Sequence, residues 1–176
     1  VDYTVIEENI VRTADADAAA GMIEKVEAAK EAGNSVGGVI ELHIHGCPAG
    51  VGEPVFDKLQ AVLAHALMSI GAVKGLEFGV GFDAARMTGL EFNDEFFMDN
   101  DRVRTRTNHC GGILGGLSTG EPIIARLAIR PPASIASEQK TVTVDGQETT
   151  IQTHGRHDPC IVPRAVPVVE AMAAIA

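Results

Sequence analysis

Five of the ten residues from Gly111 to Gly120 are glycine, in the stretch "NHCGGILGGLSTG". A helix is excluded there, because each interior glycine costs a helix roughly 0.5–1 kcal/mol relative to alanine. The spacing predicts tight turns joining short strands. The same freedom lets backbone N–H groups approach a phosphate or a flat ring closely. Taken alone, the residues support turns and a binding loop equally. They form neither GxGxxG after a strand nor GxxxxGK[ST], so the usual dinucleotide and nucleoside-triphosphate fingerprints are absent.

Around this loop the pattern interleaves helices and strands. "ADADAAAGMIEKVEAAKEAG" predicts a helix from Asp15, its cap, to Gly33, with Met22, Ile23, Val26 and Ala29 as its apolar stripe. "SVGGVIELHIHG" predicts a strand. "GEPVFDKLQAVLAHALMSIG" predicts the longest helix, with Pro54 in its first turn, Val55, Phe56, Leu59, Leu63, Ala66, Leu67 and Ile70 on one face, and Gly71 ending it. "VKGLEFGVG" is a short strand, residues 83–101 are loop-like and acidic, and "RVRTRT" puts Arg102, Arg104 and Arg106 on one face of an edge strand. "IIARLAIR" is a further strand. "TVTVDGQETTI" is a hairpin with a type I′ tip at Asp145-Gly146, and a last helix starts near Pro163. The hairpin and glycine turns favour an α+β fold with mainly antiparallel pairing, in a single domain over residues 1–176. The last helix pattern has no stop signal at Ala176, so it either frays there or belongs to a longer polypeptide.

Charge narrows the partners. The net charge of −10 argues against nucleic acid, and no apolar run is long enough for a membrane span. Val1 opens neither a signal nor a transit peptide. Three cysteines without CxxC spacing predict reduced thiols and a cytoplasmic setting. Residues 1–100 hold 6 Lys and Arg against 17 Asp and Glu, whereas residues 101–176 hold 8 against 7. Seven of those 8 are arginine, the side chain suited to planar, bidentate contact with phosphate or carboxylate. A small anion can be held locally by a chain that repels polyanions.

Three stretches carry candidate chemistry. In "ELHIHGC", Glu41, His43, His45 and Cys47 share a strand face at period two, but that spacing arises readily on an exposed polar face, and no metal is expected. "AIRPPASI" sets Arg130 at a strand end, followed by a stiff turn and the hydroxyl of Ser134. "HGRHDPCIVPRAVP" places Asp158 between His157 and Pro159, with Arg156 before and Arg164 after. Either it is a surface turn, or it binds an anion and moves a proton. Cys160 beside His157 is a weaker candidate for a nucleophile.

In order and spacing, "GCPAGVGEPVFDKLQAVLAHALMSIGAVKGLEFGVGF", "NDE", "TNHCGGILGGLSTGEPI", "IRPPASI" and "GRHDPCIVPRAVPVVEAMAA" resemble the chorismate synthase family, as does the preceding "EAGNSVGGVIE". The resemblance covers nearly all of the chain and corresponds to the C-terminal half of the family's sequence. It implies a sandwich of helices and antiparallel sheets, assembled as a homotetramer with its flavin near a subunit interface. The implied reaction is 1,4-elimination of phosphate from 5-enolpyruvylshikimate 3-phosphate to give chorismate. It requires reduced FMN without net redox change, with NADPH one candidate reductant and the source of reduced flavin left open. Carried over by position, flavin contacts fall at Gly71, Ala72, Gly115, Arg130, Pro131, Pro132, Ala133, Ser134 and Arg156. Arg156 also falls where the substrate's anionic groups bind. Asp158 matches the catalytic aspartate, which the family's mechanism has help remove a proton from reduced-flavin N5. A neighbouring Arg156 or protonated His157 is expected to keep Asp158 ionised.

The chain departs from the family at definite places. "RPPAS" stands where Lys-Pro-Thr-Ser-Ser is usual, "NHCGG" where Asn-Asn-Ala-Gly-Gly is common, and the histidines of "HIHGCPAG" are unusual. The motifs of the family's N-terminal half have no counterpart here: two general-acid histidines, the first substrate arginines and one flavin segment. The chain by itself is therefore expected to turn over weakly or not at all. The alternative is a non-catalytic flavin- or anion-binding module, or an assembly fragment, of that enzyme.

Overall fold

In the computed structural model, which describes residues 3–176, Asp15 opens the first helix as its side chain requires: Oδ1 accepts from the N–H groups of Asp17 and Ala18, both at 3.0 Å. Val1 and Asp2 lie outside the described residues. In chain order the elements are α1 (Ala16–Glu31), β1 (Gly38–Ile44), α2 (Leu59–Met68), β2 (Val73–Phe78), α3 (Gly89–Phe92), β3 (Phe96–Asp99) and β4 (Arg102–Thr105). There follow β5 (Ile113–Leu114), β6 (Leu117–Ser118), β7 (Ile123–Ile129), β8 (Gln139–Val142), β9 (Glu148–Ile151) and α4 (Val162–Ile175). Two compact units result, one of residues 1–38 and 129–166, the other of residues 39–128 and 167–176.

The second unit is organised by β7, the middle strand of the sheet β1-β7-β2. Its alternation buries Ile123, Ala125 and Leu127, as period-two side chains on a covered face must be. From α2, Leu59, Leu63 and Leu67 recur every fourth residue on the buried face, and α2 packs on β2. Each of these leucines contributes roughly 1.5–3 kcal/mol by leaving water. Two short antiparallel ribbons accompany the sheet, β3-β4 with Met98 opposite Val103, and β5-β6 with Leu114 opposite Leu117. The expected α+β fold with antiparallel pairing is what is found.

Several local expectations are corrected. The long helix begins at Leu59, not Pro54: Glu53 and Asp57 exchange both backbone hydrogen bonds and close the chain over Pro54–Phe56, leaving Val55 and Phe56 exposed. At its other end the helix stops at Met68, and Ala72, not Gly71, takes the left-handed conformation, with φ 75°. Residues 83–101 are not simply loop. Thr88 and Glu91 form a reciprocal capping box that starts α3, and β3 follows. On α1, Met22 is exposed, while Ala19, Ile23, Val26 and Ala29 turn inward.

In the first unit, the β8-β9 hairpin closes without the expected type I′ turn. The Gly146 N–H donates to Thr143 O, the Thr143 N–H donates to Gln147 O, and only Gly146 has positive φ, so the tip is a type I turn followed by a glycine bulge. Within α4, Pro167 has no N–H to give the carbonyl of Pro163, and the Arg12 guanidinium donates to that carbonyl instead, at 3.1 Å.

Candidate functional site

In the first unit, three consecutive residues fasten both stretches that carry candidate chemistry. The Ser35 hydroxyl donates to the carbonyl of Pro132 at 2.6 Å, and the Val36 N–H donates to the carbonyl of Pro159 at 2.8 Å. Next to them, a Cβ on Gly37 would lie 2.2 Å from the Ile129 carbonyl oxygen and 3.1 Å from the Arg130 carbonyl carbon, so only glycine fits. The segment Arg130–Ser134 and the Asp158–Pro159 loop are thus both anchored to residues 35–37. Neither Ser35 nor Gly37 was singled out from the sequence. The signal was a glycine inside a strand pattern, which marks close backbone approach.

Asp158 is half-buried, and its Oδ2 accepts from Arg164 Nη1 at 2.7 Å. The partner is Arg164, in the first turn of α4, not the expected Arg156 or His157. The register of loop against helix decides this, and it is not visible in nearest-neighbour order. With Arg164 two-thirds exposed, the pair is screened and contributes under about 1 kcal/mol of stability. Its consequence is directional, since it fixes one carboxylate oxygen and leaves the other without a bonded partner among the described residues. Arg156 is exposed and makes no ion pair among the described residues, and Arg130 donates to the carbonyl of Pro131 at 2.8 Å. The Nε2 of His157 is buried without a hydrogen-bond partner among the described residues, a state that native structures rarely leave unfilled.

In the second unit, the glycine loop is held by Asp94. One oxygen of this buried carboxylate accepts from the Thr107 hydroxyl at 2.7 Å and the His109 N–H at 2.8 Å, and the other accepts from the Cys110 N–H at 2.9 Å. Burial pushes the carboxyl up, but the hydrogen bonds from Cys110, Thr107 and His109 outweigh it and hold the group below its ordinary range. The Cys110 thiol goes the other way: burial and the adjacent Asp94 push it up to about 11, so at neutral pH it stands as the protonated thiol, the weaker nucleophile. Beyond this anchor the chain forms the β5-β6 hairpin, whose two-residue turn is Gly115-Gly116, with φ 62° and 93°. Gly115 faces a cavity of about 310 Å³ walled by Phe78, Phe92, Ile113 and Leu114. Gly71 and Ala72 follow α2, and a side chain at Gly71 would meet nothing within 4 Å.

The arginines of "RVRTRT" do not form an open anion site. Arg104 makes a two-pronged pair with buried Glu121, at 2.6 and 3.0 Å, and holds that carboxyl below its ordinary range. Arg106 reaches Glu95 at 3.6 Å and lies over the Phe97 ring, and Arg126 pairs with Glu77 at 2.7 Å. On β1, Glu41 and His43 bond to each other at 2.7 Å, while His45 and Cys47 lie beyond the strand. No group of three or more metal-ligating side chains comes together among the described residues.

A family model described as "Chorismate synthase" matches residues 2–176. The chain belongs to the chorismate synthase family. It is 55% identical over 173 residues to the "Chorismate synthase" of Akkermansia muciniphila, covering 98% of this chain and 48% of that protein. It is 58% identical over 168 residues to the "Chorismate synthase" of Methanocella arvoryzae, covering 95% and 45%. A solved structure, "Crystal Structure of Chorismate Synthase", superposes with a TM-score of 0.80 at 29% identity, over 99% of this chain and 46% of that one. The chain therefore spans about half the length of the chorismate synthases it matches. Among the described residues, no helix is long and apolar enough to cross a membrane.

Proposed function

We propose that this chain supplies the proton-accepting carboxylate and part of the flavin site of a chorismate synthase, which converts 5-enolpyruvylshikimate 3-phosphate to chorismate and phosphate. The observation that carries the reading is Asp158: a carboxylate with one oxygen fixed by Arg164, on a loop fastened to the same three residues as the segment Arg130–Ser134. A base needs one free oxygen and a set direction, and this arrangement provides both.

The family implies reduced FMN, and the residues present fit such a group. The second unit has an aromatic-walled cavity with the glycine turn on its rim, and the first has an orphaned imidazole nitrogen beside Asp158. By family resemblance, the flavin-contacting residues are Gly71, Ala72 and Gly115 in the second unit and, taken separately, Arg130, Pro131, Pro132, Ala133, Ser134 and Arg156 in the first. When bound, reduced FMN supplies reversible electron donation to a reaction with no net redox change. Asp158 takes up the proton lost in the elimination, while Arg164 keeps the carboxylate oriented. Arg156, exposed and without an acidic partner, binds the anionic groups of the substrate and opposes charge build-up as phosphate departs. Pro159 and Pro163 restrict the loop and reduce the entropy lost in positioning it. We extend the reading, on family resemblance, to a cytoplasmic homotetramer with NADPH as reductant.

A second reading, an assembly fragment without catalysis, is favoured by one observation. Phe56, Phe82 and Leu90 are each more than four-fifths exposed, as on a surface meant to be covered.

The test is a hybrid in which this chain replaces the matched 173-residue stretch of the A. muciniphila protein. Phosphate release from 5-enolpyruvylshikimate 3-phosphate is measured with dithionite-reduced FMN. The expected result is turnover by the hybrid, at least a hundredfold loss in Asp158→Asn, and little or none by the chain alone. A folded Asp158→Asn hybrid with full turnover would remove Asp158 from the chemistry.

A further inference from the structure

We propose that Arg12 is a positioning residue for the proton-accepting carboxylate, holding the first turn of α4 so that Arg164 meets Asp158. The inference rests on the reading of Asp158 given above and adds a distant residue to it. The Arg12 guanidinium lies across the start of the helix: Nη1 donates to the carbonyl of Pro163 and Nη2 to Glu7 Oε2, both at 3.1 Å. That carbonyl is open to Arg12 because the residue four on, Pro167, has no N–H to give it. Pro163 immediately precedes Arg164, whose Nη1 donates to Asp158 Oδ2 at 2.7 Å. The N–H groups of Arg164 and Ala165 both donate to the Ile161 carbonyl, at 3.1 and 3.0 Å, which closes the turn around Pro163. Turning the Pro163 carbonyl away would therefore carry Arg164 off the carboxylate.

The chain around Arg12 is built to aim it. Arg12 takes φ 54°, a left-handed conformation that few residues other than glycine adopt. Asn9 secures that conformation. Its carbonyl accepts from the Arg12 N–H at 3.1 Å, its side-chain oxygen accepts from the Thr13 N–H at 3.1 Å, and its side-chain nitrogen donates to the Thr13 carbonyl at 2.8 Å. A strained backbone held by a dedicated side chain marks a residue whose direction matters. Glu7 fixes the second terminal nitrogen, which gives the planar guanidinium one orientation. Charge alone would not put Arg12 here, because a helix N-terminus disfavours a cation; the hydrogen bond to Pro163 accounts for the place. Beside Asp158, the Val36 N–H holds the Pro159 carbonyl at 2.8 Å, so the loop from Asp158 to Pro163 is pinned at both ends. Sequence reading did not single out Arg12, since its acceptor lies 151 residues away.

The experiment reads kinetics in the hybrid and side-chain order in the ¹⁵N-labelled chain. Arg12→Gly and Arg12→Asn both accept positive φ and neither reaches Pro163, so the backbone is kept while the guanidinium is lost. Expected in the hybrid is a kcat lowered about tenfold, with KM for 5-enolpyruvylshikimate 3-phosphate within about twofold of the parent. Arg12→Lys, which still gives Pro163 one hydrogen bond, should recover about half of the parent kcat. Arg12→Gly combined with Arg164→Met should be no slower than Arg164→Met alone, because the first residue acts through the second. In the chain, the Arg164 Nε–H group should be ordered in the parent and, in Arg12→Gly, as mobile as that of exposed Arg156. Parent kcat in a folded Arg12→Gly or Arg12→Asn hybrid, with only the melting temperature lowered, makes Arg12 a structural support and overturns the inference. Multiplicative losses in the double variant overturn it too, as does equal Arg164 mobility in parent and variant. Asp158→Asn decides the underlying reading separately. If it abolishes turnover while the Arg12 variants do not slow it, that reading stands and the positioning role falls. If it keeps full turnover while Arg12→Gly loosens Arg164, the positioning of Arg164 stands and Asp158 leaves the chemistry.

Discussion

Replacing Asp94 tests whether one buried carboxylate sets the shape of the glycine loop. Asp94→Ala leaves three donors facing a void: the Thr107 hydroxyl and the N–H groups of His109 and Cys110, at 2.7, 2.8 and 2.9 Å in the parent. Each donor stranded in a buried place costs about 1–3 kcal/mol, and water entering the vacated volume recovers part of it, so a total of about 3–5 kcal/mol is expected. At a urea slope of about 2 kcal/mol per molar, the unfolding midpoint falls by roughly 2 M. Asp94→Asn keeps one acceptor and sets an NH₂ against a donor, so its loss should be about half as large. The pH dependence gives an independent check. The folded carboxyl lies below its unfolded value of about 4, so its contribution is complete above that value and fades as pH falls through the folded one. The gap between parent and Asp94→Asn should accordingly be widest at neutral pH and narrow on acidification. A midpoint within 0.5 M of the parent for Asp94→Ala, or a gap that does not change with pH (about 0.5 M being a quarter of the expected shift), would refute the reasoning.

Further outcomes are expected elsewhere in the chain. Arg104→Ala strands the buried carboxylate of Glu121 and should lower the melting temperature at pH 7, whereas Arg104→Met with Glu121→Leu should recover much of the loss. Because Arg104 holds the Glu121 carboxyl low, the penalty of Arg104→Ala should shrink as pH drops through the folded value, which melts between pH 7 and pH 3 will show. Gly37→Ala drives a methyl into the Ile129 carbonyl and should cost more than about 2 kcal/mol, while Gly21→Ala, exposed on α1 with open space around it, should stabilise by about 0.5–1 kcal/mol; paired denaturant melts distinguish them. With its thiol pushed up to about 11, Cys110 should react with iodoacetamide at pH 8 at least tenfold more slowly than Cys47 or Cys160, read by peptide mass mapping.

The residues that could be read in advance are those whose partners lie close in sequence. Asp15 caps α1 through N–H groups two and three residues on, and five glycines in ten residues gave a turn where a turn was needed. Where a distant partner decides, the sequence misleads. Val55 and Phe56 continue the apolar period of α2, yet the Leu59 N–H is taken by the carbonyl of Gly116, and Gly52 is packed so closely on the same carbonyl that a Cβ would lie 2.4 Å from it. The loop between them must fold back instead of winding into helix. Charge follows the same logic. A run of arginines in the later half suggested anion binding, but Arg104, Arg106 and Arg126 are engaged by Glu121, Glu95 and Glu77, acids that lie 11 to 49 residues away in the sequence. What can bind a ligand is the charge left after such pairing. Arg156 in the first unit meets that condition, exposed and without an ion pair among the described residues.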